Sequence, residues 1–120
     1  MSTVISGVRI KFGKTDGDVR VTNGGKLIAV GFIAGTLTVE SGGYAFIFGM
    51  VGGLVIEPGA KAKLPGMCTG DVTNGGDLTI RGTVDGDVTN NGGDLTIRGV
   101  VKGALHGQSI TVMPGAKIGP

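Results

Sequence analysis

The chain has almost none of the residues on which the common chemistries rest. Cys68 is the only cysteine, so no disulfide can form within one chain, and a reducing cytoplasm is the expected location. His106 is the only histidine, which rules out a histidine-rich metal cluster in a single chain. There is no tryptophan, and aromatic residues make up 4% of the 120 positions. Net charge is +2, with lysine and arginine scattered. A nucleic-acid-binding protein normally concentrates them on one face, so no nucleic-acid partner is expected. Long hydrophobic runs are missing too. The stretch 45–56 is interrupted by Gly49, Gly52 and Gly53, and falls short of the roughly 20 residues that span a bilayer. The start Met1-Ser2-Thr3-Val4 does not read as a signal peptide.

What the chain does have is glycine and a repeat. Glycine occupies 26 positions, yet 40% of residues are hydrophobic and mean hydropathy is +0.31. A flexible glycine linker would lack those valines, leucines and isoleucines. The stretch Gly70-Asp71-Val72-Thr73-Asn74-Gly75-Gly76-Asp77-Leu78-Thr79-Ile80-Arg81-Gly82 returns from Gly86 as Gly-Asp-Val-Thr-Asn-Asn-Gly-Gly-Asp-Leu-Thr-Ile-Arg-Gly. Glycines that can be set in register fall at Gly17, Gly35, Gly53, Gly70, Gly86 and Gly103, 16 to 18 residues apart. The phrase Ile56-Glu57-Pro58-Gly59-Ala60-Lys61 is echoed by Val112-Met113-Pro114-Gly115-Ala116-Lys117.

Each repeat is built for strands and corners. Leu78-Thr79-Ile80 and Leu95-Thr96-Ile97 alternate apolar and polar, the period of a half-buried strand. Asn74-Gly75-Gly76 and Asn91-Gly92-Gly93 are turn chemistry, since glycine and asparagine accept positive φ. No window carries a helical apolar period. A repeat this short cannot bury its apolar side alone and must stack on its neighbours. The expectation is an all-β, single-stranded β-solenoid of about six coils, essentially without helix. It forms a single domain over 1–120, with an N-terminal edge or cap strand (1–16), repeat coils (17–103) and a C-terminal coil and cap (104–120). Pro120 and Pro114 make the C-terminal end look modestly capped, while the N-terminal strand shows no clear cap.

Candidate chemistry is sparse. No catalytic residue, cofactor site, metal site or small-molecule substrate is assigned, and the protein is not read as an enzyme. His106, within Leu105-His106-Gly107, reads as a partly exposed turn residue rather than a general base. Cys68 matches Val84 of the next coil and reads as a small buried hydrophobe. Asp71 and Asp87, and Asp77 and Asp94, should stack one coil apart. Their spacing does not fit the calcium-binding nonapeptide, so they read as turn residues accepting backbone hydrogen bonds. Arg81 and Arg98 should stack likewise and reach toward neighbouring carboxylates.

The sharper signal is apolar. Aligning the coils at their Gly-Gly corners points Leu27 and Ala29, Ala45 and Ile47, Leu78 and Ile80, and Leu95 and Ile97 inward. The outward positions hold Thr79 and Arg81, then Thr96 and Arg98, in the C-terminal coils. In the N-terminal coils the same positions hold Ile28 and Val30, then Phe46 and Phe48, extended by Tyr44, Met50 and Phe32. Ile28, Val30, Tyr44, Phe46, Phe48 and Met50 are therefore the candidate partner interface. Two alternatives stand beside it. A one-residue slip at Gly42-Gly43 would turn the aromatics into core. The segment 4–12, alternating Val8, Ile10 and Phe12 against Arg9 and Lys11, could fold over the patch.

The repeat phrases Gly-Asp-Val-Thr and Leu-Thr-Ile-Arg-Gly-Thr-Val-Asp-Gly-Asp-Val resemble the coils of bactofilins, bacterial cytoskeletal β-solenoids, over roughly 70–103. The resemblance implies nucleotide-free polymerisation in the cytoplasm, often at the inner membrane, and so admits peripheral membrane association. The aromatic coil at 44–48 departs from that family. Thr36-Leu37-Thr38-Val39-Glu40-Ser41-Gly42-Gly43 resembles the passenger repeats of self-associating autotransporter adhesins. Function is expected to be association with itself, as a homo-oligomer or filament, or with another protein. Self-assembly as a structural or scaffold protein comes first. A small inhibitor such as an immunity protein is the alternative, and a solenoid enzyme or calcium-stabilised repeat is the third.

Overall fold

A computed structural model of the chain describes residues 2–119, and of residues 2, 3 and 11 the backbone only. Parallel strands stack into a β-solenoid with no helix among the described residues. Each coil has three sides. The first side carries β1 (Ser2–Ile5), β4 (Asp18–Val21), the second halves of β6 (Phe32–Val39) and β8 (Met50–Ile56), β11 (Val72–Asn74), β14 (Val88–Asn90) and β17 (Leu105–Gly107). The second carries β2 (Val8–Lys11), β5 (Lys26–Ala29), β7 (Tyr44–Ile47), β9 (Lys61–Leu64), β12 (Asp77–Ile80), β15 (Asp94–Ile97) and β18 (Ile110–Val112). The third carries β3 (Lys14–Thr15), the first halves of β6 and β8, β10 (Met67–Cys68), β13 (Thr83–Val84), β16 (Val100–Val101) and β19 (Lys117–Ile118).

That makes seven coils among the described residues, one more than the repeat predicts. The extra coil is residues 2–15, which form three strands rather than one edge strand. Its disguise is chemical. Arg9 and Lys11 take the register of Leu27 and Ala29, the inward positions of the next coil. No coil among the described residues lies above this one, and Arg9 is exposed. An inward-register charge on an edge strand disfavours further strand addition, and β2 holds two charged residues in that register. At the other end Val112 and Ile118, in the inward register of Ile97 and Val101, are 46% and 36% exposed.

The core is one side chain deep and assembled in columns. Leu27, Ala45, Ala62, Leu78 and Leu95 stack along one column of the second side, and Ala29, Ile47, Leu64, Ile80 and Ile97 along its neighbour. An alanine beside each larger partner in coils two to four keeps the volume roughly constant. The inward set is therefore the one expected, and Ala45 and Ile47 are fully buried, which excludes the one-residue slip.

Glycine sets how closely the coils approach. Between the second and third sides, Gly13, Gly31, Gly49, Gly66, Gly82 and Gly99 lie one above another, a column the sequence reading does not single out. A Cβ on Gly82 would lie 1.7 Å from the carbonyl oxygen of Gly66. Between the third and first sides runs a second column, and here Gly52, not Gly53, is in line: its added Cβ would meet Ala34 O at 2.3 Å and Gly35 O at 2.8 Å. Gly53 instead pairs with Thr36.

The third corner is a turn. Gly25, Gly43 and Ala60 donate to the carbonyls of Thr22, Glu40 and Glu57, with Gly24, Gly42 and Gly59 at φ near +80°, the geometry of a type II turn. The Met113-Pro114-Gly115-Ala116 echo makes the same turn, closed by Ala116 N to Met113 O at 3.1 Å. It does so at a different corner, after the second side, so that phrase repeats a turn rather than a coil position.

In coils five and six an asparagine replaces much of this turn. Asn74 and Asn90 are inward, 0% and 3% exposed, in the column of Val39 and Ile56. Turn chemistry alone does not anticipate this burial. Asn74 Nδ2 donates to Asn90 Oδ1 at 3.0 Å and to Asp94 O at 2.9 Å, while Asn74 Oδ1 accepts from Gly76 N at 3.2 Å. A buried amide holds its place only when its polar atoms are matched, and these bonds match them.

Two outcomes follow. Gly82→Ala is expected to cost about 2 kcal/mol or more in urea unfolding, whereas Gly7→Ala, with open space at its Cβ, stays within about 0.5 kcal/mol. Asn74→Ala leaves the buried Asn90 Oδ1 without its donor and is expected to cost about 1–3 kcal/mol in the same assay.

Candidate functional site: the outer surface of the second side

Three outward columns cross the second side, at the first, third and fifth positions of each strand and its exit. The first column runs Val8, Lys26, Tyr44, Lys61, Asp77, Asp94. The third runs Ile10, Ile28, Phe46, Lys63, Thr79, Thr96, Thr111. The fifth, one residue past the paired strands, runs Phe12, Val30, Phe48, Pro65, Arg81, Arg98. The surface thus divides along the solenoid axis. Apart from Lys26, its first three coils are apolar and aromatic, and its later coils are charged and threonine-bearing.

The structure brings most of the predicted patch together. Ile28, Tyr44 and Phe46 are half-buried, Val30 is exposed, and Phe48 is 56% exposed. The rings of Phe46 and Phe48 stack with centroids 4.6 Å apart. Lys26 Nζ sits 5.4 Å from the Tyr44 ring centroid, its stem alongside the patch. Met50 lies round the corner on the third side, in a column with Phe32 and Met67. It borders the patch rather than sharing its surface.

The N-terminal segment does not fold over this surface. β2 pairs edge to edge with β5, and its outward Val8, Ile10 and Phe12 are 73%, 51% and 75% exposed. The segment enlarges the patch that, in one of the two alternatives, it would have covered. Sequence reasoning missed these three residues because strand alternation does not say which set faces in. The deciding signal is the register to Lys26-Leu27-Ile28-Ala29.

The charged half also departs from expectation. Arg81 and Arg98 are exposed, and no carboxylate lies within ion-pair distance of either among the described residues. Together with Lys63, Thr79 and Thr96 they line an open hollow of about 290 Å³. Asp77 and Asp94 stand at the far edge of the same strands, exposed and likewise without an ion-pair partner among the described residues. Four residues of strand separate the two edges by about 13 Å, too far for pairing within one chain. The ion pairs present lie elsewhere, joining Arg20 to Glu40, Lys14 to Asp16 and Lys102 to Asp85.

The remaining candidates have structural employment. Asp18, Asp71 and Asp87 each use Oδ1 to accept a backbone N–H of the following coil, from Thr36, Asp87 and Ala104, each at 2.9 Å. His106 lies in β17 rather than a turn, exposed and paired in register with Thr89. Among the described residues no group of three histidine, cysteine, aspartate or glutamate side chains is placed to hold a metal ion. Cys68 is fully buried in a column with Val51, Val84 and Val101. Burial pushes its thiol up to about 11. Compared with models of known protein families, with curated proteins and with solved structures, the chain has no match.

Cys68→Val is expected to fold with a loss below about 1.5 kcal/mol, because valine already fills the same column above and below. The thiol's folded pKa lies above its ordinary value of 9.0, so the neutral form is favoured by folding. That contribution is complete below pH 9 and lost as the pH climbs toward 11. Urea unfolding across this window should show wild type losing stability that Cys68→Val does not lose.

Proposed function

We propose that this chain is a non-catalytic β-solenoid that acts by protein–protein association, and that its first partner is itself, in the manner of a self-assembling structural or scaffold protein. The observation that carries this reading is the inverted polarity of β2. That strand turns Val8, Ile10 and Phe12 to solvent and holds Arg9 and Lys11 in the inward register. A strand that served only the core would be patterned the other way. Its outward apolar residues run on into Ile28, Val30, Phe46 and Phe48 along the third and fifth columns, with Tyr44 beyond Lys26 in the first. Contiguous exposed apolar surface of this kind marks an interaction site. Cytoplasmic assembly, which the likeness of residues 70–103 to bactofilin coils implies, belongs to the same reading.

Sedimentation over a wide concentration range tests it. Wild type is expected to self-associate, and Phe46→Ser with Phe48→Ser to weaken that association about tenfold or more while the circular dichroism spectrum is unchanged. A wild-type chain that stays monomeric at every concentration would overturn self-assembly and leave a heterologous partner for this surface. Unfolding of the double variant would show that the two rings serve the fold.

A further inference from the structure

The second side carries two ladders of like charge that form no ion pair among the described residues, although Lys61 stands one coil from Asp77 in the same column. Asp77 stacks on Asp94, and Arg81 on Arg98, one coil apart. Adjacent coils are about 4.8 Å apart, so each ladder repels itself. The two ladders stand at opposite edges of one surface, at the same two levels of the solenoid, with Thr79 and Thr96 between them.

The geometry points to a second copy of this chain as the occupant of that surface, related by a two-fold axis parallel to the solenoid axis and lying between the two faces. This rests on the self-association reading and gives it an arrangement. Such an axis keeps every coil opposite its own counterpart and exchanges the edges. The first column of one copy then faces the fifth column of the other. Asp77 meets Arg81 of the second copy and Asp94 meets its Arg98, and the two-fold repeats both pairs. The hollow lined by Lys63, Thr79, Arg81, Thr96 and Arg98 receives the two carboxylates, with Lys63 at its rim beside the level of Asp77.

The same operation matches the apolar half. Val8 faces Phe12, Tyr44 faces Phe48, and Ile10, Ile28 and Phe46 each lie near the axis opposite themselves. An isologous contact of this kind must be self-complementary; the charges of coils five and six and the apolar residues of coils one and three meet that demand, while Lys26 falls opposite Val30 and Lys63 opposite itself. A two-fold across the solenoid axis does not meet it. It would set aspartate column against aspartate column, or lay the aromatic coils on the arginine coils. From Val8 to Asp94 the surface is about 24 Å long and 13 Å wide, roughly 620 Å² over two copies, below the ~1,200 Å² of a stable specific interface and in the range of a weak, transient one. The dimer is therefore concentration-dependent, not permanent.

Charge reversal tests the arrangement. Two variants are made, Asp77→Arg with Asp94→Arg, and Arg81→Asp with Arg98→Asp, all at exposed positions. Sedimentation equilibrium should show each variant alone dimerising about tenfold more weakly than wild type, since arginine now faces arginine or aspartate faces aspartate. An equimolar mixture of the two should recover a dimer of wild-type strength, because each supplies the charge the other lacks. If wild type dimerises and Phe46→Ser with Phe48→Ser breaks it, while the reversals do nothing or their mixture fails to recover, the arrangement is wrong and self-association through the aromatics survives. If wild type is monomeric throughout, both fall.

Discussion

Everything in this molecule depends on how closely one backbone coil sits upon the next. Parallel strands at about 4.8 Å exchange hydrogen bonds only if the corners approach as closely as the strands do. At two of the three corners a side chain would collide with the backbone of the coil below. The added-Cβ distances of 1.7–2.0 Å from Gly31 to Gly99 make the point. Glycine is abundant here because three corners per coil recur over seven coils. Its flexibility in the unfolded chain is an entropic cost, offset by the regularity of what it permits. Once the corners stack, residues in register across coils are forced into columns, and every column must be chemically coherent over its length.

That constraint explains features that otherwise look unrelated. Apolar inward columns become a continuous core although no single coil has one. Asparagine can enter such a column at 74 because Asn90 above it accepts from its amide, and at 90 because the backbone carbonyls of Gly93 and Gln108 do the same. Aspartates at the corner between the third and first sides make a chain of carboxylate-to-backbone bonds. The outward columns obey the same register without the same discipline, since solvent tolerates a change of chemistry along the axis. The second side uses that freedom, passing from phenylalanine to lysine to threonine and arginine within four coils.

Much of this was legible in the sequence. Near-identical repeats at 70–99 announce stacking, and period-two alternation after each Gly-Gly corner sorts Leu78 and Ile80 from Thr79 and Arg81. What escaped are features where alternation or composition carries no sign. β2 alternates as well as any other strand, yet only its pairing with β5 reveals that Arg9 and Lys11 take the inward register. Gly52 and Gly53 are indistinguishable by type, and only contact with the coil below separates them. Asn74 looks like a turn residue because the same side chain that initiates turns can also satisfy a buried corner. Arg81 and Arg98 were expected to find carboxylates, but the acids on their own strands lie a full strand width away.

In the proposed dimer, the unpaired charges and the exposed aromatics are two consequences of one surface design. An isolated solenoid gains nothing from exposing Phe12 and Phe48, or from ranking aspartate over aspartate and arginine over arginine. Each arrangement costs a little in the monomer. Both costs are relieved by the same event, the approach of a surface that is apolar beside coils one to three and presents opposite charges, edge for edge, beside coils five and six. A partner unrelated to this chain would have to supply that pattern independently. A second copy supplies it by symmetry, because the repeat that built one face has built the same face on every molecule.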